Sequence, residues 1–433
     1  MSAVKALWER LLHGGFLKSV AVLASGTAGA QLIMLLCMPW VARLYGPEAF
    51  GMLGLFMTMV WVAGPIAALA YPSAIVLPAD ADEANALIRI CWRISLFVGA
   101  GSALLLLLAT IAWPDWALSL GIKHFVYLLP LVILASGGLQ ILQQSLLRLK
   151  LFSLTARVVV VQALIINSLK LILGFSYASA TTLIMLAVAD ILLQSLLLAF
   201  IARSALKPLL SGSSAAISFP ALVRKYSDFP LFRAPHLVIN ALSQGIPLML
   251  LTSVVGPAAA GFYALARSLL VAPAQLLGKS VGDVFYQRSA QRIHDGAYLA
   301  SDLRHATLSL AVLGAVPFGL IILLGPGLFA WAFGDVWRDA GYYAQWLALW
   351  LYCSLLNTPS VSAVAVLSLQ RVHLLYEIVC VALRSAALLV GFHFFENDVA
   401  AVACLSVMGV FLNALLIGAV FSAARRRDAT LGG

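Results

Sequence analysis

Charged side chains are scarce in this sequence, which excludes an ordinary soluble protein. Asp, Glu, Lys and Arg together make up 10% of its 433 residues, whereas they make up about 25% of a typical soluble domain. Hydrophobic residues make up 63%. This composition indicates that most of the chain lies in lipid rather than in water.

The motifs of catalysis, metal binding and nucleotide binding are also missing. The five cysteines stand singly, without the paired spacing of a zinc or redox site. Gly278-Lys279-Ser280 resembles the end of a phosphate-binding loop, but Pro273 stands where that loop needs its first glycine. We therefore expect no ATPase site, no metal or other cofactor and no catalytic residues. These absences favour a transporter over an enzyme.

Long hydrophobic runs dominate the chain instead. A helix needs about 20 mainly apolar residues to cross a bilayer, and runs of that length predict about twelve transmembrane helices. They lie near residues 17–42, 50–71, 93–113, 124–145, 154–175, 178–202, 230–255, 258–281, 305–327, 341–368, 372–394 and 399–423. The predicted fold class is an all-α polytopic membrane protein.

The basic side chains are distributed unevenly between the two sides of the predicted spans. If the N-terminus is cytoplasmic, nearly all Lys and Arg residues outside the spans fall in cytoplasmic segments, and the exceptions are Arg43, Lys123 and Arg338. This is the positive-inside distribution, and it predicts that both termini are cytoplasmic. It also accounts for the net charge of +10 without a nucleic-acid partner.

A polar stretch in mid-chain divides the predicted spans into two halves. Residues 204–229 predict a cytoplasmic linker between an N-terminal six-helix bundle at 1–203 and a C-terminal six-helix bundle at 230–433. Residues 46–51 (GPEAFG) recur as residues 256–261 (GPAAAG), in the outer turn between the first two spans of each half. We predict two pseudo-symmetric bundles around a central cavity, related by an axis along the membrane normal.

Charged residues inside the predicted spans mark a candidate site. Lys170, Arg267 and Arg384 are basic, and Asp190 and Glu377 are acidic. Each such charge costs about 2.5–3.5 kcal/mol at the centre of a span, so it must face water, a partner or the bundle interior. The excess of positive charge predicts a cavity for an anionic substrate. The alternative is purely structural pairing, for example of Glu377 with a histidine one turn away.

Polar residues at helical spacing extend this candidate cavity. One stripe lies on the seventh span and another on the fourth. Their members are Arg233, His236, Asn240 and Gln244, and then Gln140 and Gln144. The stripes indicate a wet internal cavity, with hydrogen bonding between helices as the alternative.

Several segments resemble one family of exporters. They are residues 42–51 (ARLYGPEAFG), residues 74–78 (AIVLP) with the acidic cluster that follows, and residues 226–286, which begin YSDFP and contain AGFYALAR. These segments are similar to those of the Wzx-type O-antigen flippases of the multidrug/oligosaccharidyl-lipid/polysaccharide exporter superfamily. The chain departs from that family at Tyr71-Pro72, where members often carry an acidic residue after the tyrosine.

The resemblance implies a substrate and a direction of transport. Members of this family flip an oligosaccharide on an undecaprenyl pyrophosphate carrier from the cytoplasmic to the periplasmic leaflet of the bacterial inner membrane, by alternating access. Applied to this chain, the resemblance assigns substrate binding to Arg384, Arg267, Lys170, Arg233, His236, Asn240, Gln244, Gln140 and Gln144. The basic residues would bind the pyrophosphate, and the amides would bind sugar hydroxyl groups.

Energy coupling and partners follow from the same resemblance. Without an ATP site, transport is expected to use an ion gradient, with Asp190 and Glu377 as the candidate ion-coupling carboxylates. The expected partners are the lipid-linked oligosaccharide, the bilayer and other polysaccharide-assembly membrane proteins.

Two other functions stay open. A multidrug or cation antiporter of the same superfamily would need an acidic and aromatic cavity, and uptake of cationic dyes would support it. An integral-membrane polysaccharide polymerase or glycosyltransferase would need catalytic groups on a sizeable loop, and the predicted external loops are short. Accumulation of unpolymerised glycolipid in the outer leaflet would support the polymerase.

Overall fold

The computed structural model describes residues 15–112, 123–211, 219–294, 300–367 and 369–431, which form α-helices joined by short turns. The helices are α1 (Gly15–Ile66), α2 (Ala81–Ala112), α3 (Leu129–Arg148), α4 (Phe152–Ser176), α5 (Ala180–Ser211), α6 (Phe219–Lys225), α7 (Ala234–Val254), α8 (Pro257–His294), α9 (Ala300–Phe333), α10 (Arg338–Val366), α11 (Gln370–Phe395) and α12 (Asp398–Leu431). Short 3₁₀ turns lie at Tyr71–Ala74, Lys123–Leu128 and Asp335–Trp337, and a π-helical turn lies at Phe229–Arg233.

The helices have the lengths and composition of membrane spans. Among the described residues, 10 helices are long and apolar enough to cross a bilayer. One of these stretches, Ser25–Ile66, has 42 residues, enough for two crossings of about 20 residues each. Pro257–Ala272 adds a shorter apolar stretch. The predicted all-α polytopic membrane fold is confirmed.

The third predicted span begins earlier in the structure than in the prediction. The hydrophobic pattern places its start near residue 93, whereas α2 begins at Ala81. Arg89 and Arg93 interrupt the apolar run, but a helix tolerates them because the turns that carry them need not lie in the hydrocarbon layer. Asp82 and Glu83 lie in the first turn, where acidic side chains complement the helix dipole.

The repeated Gly-Pro pair breaks the helical path in each half. α1 is interrupted at Gly46, which has φ 72° and ψ 173°, and Gly256 between α7 and α8 has φ 128°. Only glycine adopts such positive φ angles readily. A proline follows each glycine, at the position where a new helical segment starts and a missing N–H is tolerated. Both copies of the sequence repeat therefore interrupt the helix at a glycine with a positive φ angle.

The chain forms two compact units whose limits differ from the predicted bundles. The first unit contains the described residues up to Tyr45 together with Met52–Gly245, and the second contains Gly46–Gly51 and the described residues from Ile246 onward. The predicted division follows the order of the spans, whereas the first compact unit ends inside α7. Part of the predicted linker, residues 212–218, lies outside the described residues.

Within the first unit, α3 and α5 form the centre. α3 packs against α2 and α5, and α4 packs against α5. Leu87 and Ile141 belong to one buried cluster with the 3₁₀ turn after α1 and with Leu222 of α6. The short α6 is thereby held against the 3₁₀ turn after α1 and the start of α2.

Within the second unit, α10 is central. It packs against α8, α9 and α12, while α11 packs against α12. Small residues permit close approach, since a Cβ atom on Gly325 of α9 would lie 2.7 Å from the carbonyl oxygen of Gly341 on α10. Between helices in lipid there is no hydrophobic driving force, so close van der Waals packing at small residues stabilises their association instead.

Candidate functional site

Two of the predicted intramembrane cations meet in the second unit. Arg267 lies on α8, one helical turn after Tyr263, and Arg384 lies on α11. Both guanidinium groups interact electrostatically with the Tyr263 hydroxyl, and both arginines are half-buried. Arg267 and Arg384 therefore both lie within electrostatic range of one side chain. We call this set, Tyr263, Arg267 and Arg384, the arginine cluster.

Trp350 of α10 orients Arg384 within the arginine cluster. The Arg384 Cζ atom lies 5.2 Å from the centre of the Trp350 ring, in cation–π geometry. Arg384 Nε also donates a hydrogen bond of 3.0 Å to the Cys380 carbonyl oxygen. The buried indole in turn packs on Gly409 of α12, where a Cβ atom would lie 2.5 Å from it. These contacts leave the guanidinium with a defined position.

The Tyr263 hydroxyl of the arginine cluster is buried. The side chain is 1% exposed, and its oxygen has no hydrogen-bond partner among the described residues. A buried hydroxyl without an acceptor is unusual in a folded protein.

Glu377 lies on α11 between the arginine cluster and His373. Its carboxylate oxygen is 3.7 Å from His373 Nε2, which is longer than a hydrogen bond. The carboxylate also interacts electrostatically with Tyr376, whose hydroxyl donates a hydrogen bond of 2.6 Å to the Leu412 carbonyl oxygen. Because the Glu377 side chain is 40% exposed, the histidine does not enclose it. Both predicted roles of Glu377, pairing and ion coupling, stay predictions.

Lys170 and Asp190 lie in the first unit, on α4 and α5. They interact electrostatically with each other, and Gln162 Nε2 donates a hydrogen bond to an Asp190 carboxylate oxygen. Gln162 is buried, while Lys170 and Asp190 are half-buried. A neutral amide and an ammonium group therefore surround one intramembrane carboxylate.

The predicted polar stripe on the seventh span is present, and it runs from Arg233 in the π-helical turn before α7 to Gln244 in the middle of α7. Arg233, His236, Asn240 and Gln244 are all exposed, and Gln244 Nε2 donates a hydrogen bond of 2.8 Å to Asn240 Oδ1. Exposed amides on a membrane helix are costly in contact with lipid tails. These exposed polar side chains therefore indicate that this face of α7 contacts water rather than lipid.

The stripe on α3 has a different character. Gln140 Nε2 donates a hydrogen bond of 2.8 Å to the Gly64 carbonyl oxygen of α1, so its amide donor serves helix packing. Gln144 is half-buried. Arg148 at the end of α3 donates hydrogen bonds to the carbonyl oxygens of Ile75, Pro78 and Asp80, at 3.3, 2.5 and 3.1 Å.

Sequence reasoning missed the side chains that orient the charges. Tyr263 stands at i−4 to Arg267, a spacing that places two side chains on one helix face. That spacing was available from the sequence. Trp350 and Gln162 reach their partners from other helices, and no local pattern indicates such contacts.

Comparisons with known proteins place these features in a family and a fold. Residues 40–341 match a sequence family described as polysaccharide biosynthesis protein. Among curated proteins, no sequence matches this chain.

Three solved structures illustrate the shared fold. A multidrug resistance MATE family transporter of the MOP superfamily, in an inward-facing conformation, is 16% identical with a TM-score of 0.71, covering 93% of this chain and 95% of that one. The lipid II flippase MurJ is 12% identical with a TM-score of 0.68, covering 95% and 90%. A MOP superfamily transporter from Pyrococcus furiosus whose binding pocket has reverse polarity is 14% identical with a TM-score of 0.57, covering 96% and 95%.

Proposed function

Because the chain belongs to the polysaccharide biosynthesis protein family, we propose that it flips an undecaprenyl-pyrophosphate-linked oligosaccharide from the cytoplasmic to the periplasmic leaflet of a bacterial inner membrane. The family and the transporter fold together support translocation of a polysaccharide precursor across a membrane. Our proposal goes further in three respects. It specifies a diphosphate carrier, it specifies the direction of transport, and it assigns the protein a transport mechanism rather than an enzymatic one.

The observation that carries the proposal is the arginine cluster. Arg267 and Arg384 come from different membrane helices, and both lie within electrostatic range of the Tyr263 hydroxyl. Each guanidinium within a span costs about 2.5–3.5 kcal/mol on insertion scales, and an anionic headgroup that passes near both would be attracted by two positive charges. Arginine binds phosphate oxygens through two parallel N–H donors. A lipid diphosphate matches this demand in charge and in geometry.

The remaining predicted residues have secondary roles in this proposal. The exposed α7 stripe would present Asn240 and Gln244 to sugar hydroxyl groups, with Arg233 and His236 nearer the cytoplasmic entrance. Lys170 and Gln144, which lie in the first unit, stay candidate substrate-binding residues predicted from the sequence. Gln140 already donates to Gly64, so only its carbonyl oxygen would be available to a sugar.

Energy coupling would come from an ion gradient. Asp190 is the better placed carboxylate, because Gln162 and Lys170 hold it within the span. Protonation would release Asp190 from its attraction to Lys170, and loss of the proton would restore that attraction. Glu377 is the second candidate.

Reconstitution of the purified protein in liposomes tests the proposed function directly. A fluorescent oligosaccharide lipid with a diphosphate carrier is incorporated, and the fraction accessible to a membrane-impermeant quencher is followed with time. We expect faster exchange between leaflets than in protein-free liposomes, and faster exchange still when a proton gradient is applied. Exchange at the protein-free rate under both conditions would contradict the proposal.

A deletion strain distinguishes the alternatives in the cell. Loss of a flippase traps the lipid-linked oligosaccharide in the inner leaflet. Loss of a polymerase instead leaves unpolymerised units in the outer leaflet, and loss of a cation antiporter changes dye accumulation while surface polysaccharide persists. Only the first result agrees with the proposed function.

A further inference from the structure

The turn that follows α1 has a strained backbone. Leu69 has a φ angle of 50° and Ala70 has a φ angle of 57°, so two consecutive residues with side chains adopt the left-handed conformation. That conformation costs free energy for residues other than glycine, and it persists only where the surrounding structure fixes it. Ala70 is 2% exposed. Contacts with the rest of the first unit must therefore hold this turn in place.

Arg148 of α3 holds the chain just beyond the turn. Its guanidinium donates hydrogen bonds to the carbonyl oxygens of Ile75, Pro78 and Asp80. Because α3 lies at the centre of the first unit, this support belongs to the core of that unit.

The short helix α6 supports the turn as well. Tyr71, which directly follows Ala70, donates a hydrogen bond of 3.3 Å from its hydroxyl to the Val223 carbonyl oxygen of α6. Leu222 and Tyr226 are buried in the same hydrophobic cluster as Tyr71. A helix of seven residues is too short to be stable in water by itself. The helical structure of α6 therefore depends on its docking at this place.

One carboxylate group binds the end of α6. A single oxygen of Glu83 on α2 accepts a hydrogen bond of 2.5 Å from Lys225 Nζ and one of 3.1 Å from the Tyr226 hydroxyl. We call these three residues the clasp of α6. The Glu83 side chain is 17% exposed and the Lys225 side chain is 58% exposed, so water reaches the ammonium group. An ion pair with so exposed a partner stabilises only weakly.

We propose that α6 is a releasable strap. Docked through the clasp, α6 holds the left-handed turn at Leu69 and Ala70, and its release lets that turn relax and the end of α1 change direction during transport. The strain in the turn favours release, while the clasp and the burial of Leu222 oppose it. A short helix with few buried contacts belongs to the parts of a protein that open locally at low free energy. The device goes beyond the proposed function, because it concerns how α1 moves and not what is carried.

Hydrogen–deuterium exchange of the full-length protein in detergent tests the clasp. Lys225→Met removes the charged donor to Glu83, and Arg224→Met is the matched control because Arg224 is the neighbouring exposed basic residue of α6. Amides of residues 219–226 are expected to exchange about fivefold faster in Lys225→Met than in wild type, as for the loss of one partly exposed ion pair. Amides of residues 69–75 are expected to accelerate too, because the turn relaxes when the strap leaves. Arg224→Met is expected to keep the wild-type rates in both segments.

Ala70→Gly tests the strain in the turn. Glycine adopts the left-handed conformation without a steric cost, so the thermal unfolding midpoint is expected to equal or exceed that of wild type. Ala74→Gly is the matched control, because Ala74 is buried in the adjoining 3₁₀ turn and has a negative φ angle. There glycine only adds conformational freedom to the unfolded chain, and we expect a lower midpoint.

Covalent closure of the strap tests its release during transport. Cysteines replace Glu83 and Lys225, and a short, reducible thiol crosslinker joins them. In liposomes, the crosslinked protein is expected to lose exchange of the fluorescent oligosaccharide lipid between leaflets and to regain it on reduction. The matched control joins cysteines at Asp335 and Arg338, which form an ion pair within one turn of the second unit. That crosslink bridges no separate elements, so exchange is expected to persist.

Three results would overturn the inference. They are wild-type hydrogen exchange in both segments of Lys225→Met, a fall in the midpoint of Ala70→Gly equal to that of Ala74→Gly, and undiminished lipid exchange by the crosslinked strap. Failure of the proposed function has a different signature, since the wild-type protein would then exchange no lipid at all. In that case the hydrogen-exchange and unfolding measurements still decide whether α6 is released from a strained turn.

Discussion

Gly51 packs directly against the carbonyl oxygen of Pro257, so closely that any side chain at Gly51 would overlap it. The contact is reciprocal, since a side chain at Gly261 would overlap the carbonyl oxygen of Pro47. Both glycines are buried, and both belong to the second unit. The two sequence repeats therefore pack on each other, and each keeps two glycines for different reasons. The first glycine permits a positive φ angle, and the last permits this close approach.

Gly51→Ala is expected to destabilise the protein, because the added methyl group must displace backbone rather than a flexible side chain. We expect a cost of about 1–3 kcal/mol, typical of overpacking, and the same for Gly261→Ala. The measurement is the thermal unfolding midpoint in detergent. Gly319→Ala is the matched control, since Gly319 lies within α9 with no atom within 4 Å of an added Cβ. Equal unfolding midpoints for Gly51→Ala and Gly319→Ala would contradict the predicted backbone overlap.

Arg384→Ala is expected to abolish export of surface polysaccharide while membrane insertion and expression stay normal. The substitution removes a guanidinium that Trp350 and the Cys380 carbonyl oxygen hold in place. Arg384→Lys keeps the charge but loses the planar fork, so partial export is expected. Surface polysaccharide is quantified against the amount of protein in the membrane. Wild-type export by Arg384→Ala would remove this residue from the mechanism.

Asp190→Asn is expected to abolish the stimulation of flipping by a proton gradient without abolishing ligand binding. Asparagine can still accept the hydrogen bond from Gln162 but cannot change charge beside Lys170. Flipping rates in liposomes are compared with and without the gradient. The control is Asp335→Asn, because Asp335 is exposed and pairs only one turn away with Arg338. Full stimulation in Asp190→Asn would leave Glu377 as the candidate for ion coupling.

Arg148→Met is expected to destabilise the first unit through loss of three hydrogen bonds to the segment after α1. Hydrogen bonds that involve a charged group contribute about 1.5–3 kcal/mol each. Because water partly replaces the lost bonds, we expect the free energy of unfolding to fall by about the value of one such bond. Arg157→Met, at an exposed position on α4, serves as the control. Limited proteolysis between residues 75 and 80 measures the effect locally, and unchanged cleavage there would count against the predicted role.

Individual residues show how far local patterns predict a membrane transporter. The α7 stripe from Arg233 to Gln244 is present, because helical periodicity alone places residues three and four apart on one face. Gln140, in contrast, lies on an equally regular stripe but donates to Gly64 of α1. Periodicity locates a polar face but does not show whether a neighbouring helix covers it.

Hydropathy and the positions of charge were sufficient to predict a polytopic all-α protein, because the length of an apolar run and its crossing of the bilayer are properties of a single segment. The recurrence of the Gly-Pro segment likewise predicted two related halves. The electrostatic interaction of Arg384 with Tyr263, the hydrogen bond of Gln162 to Asp190 and the contact of Gly51 with Pro257 arise only in the folded chain. Each joins residues from different helices, and which helix faces join is decided by packing between elements that are distant in the chain.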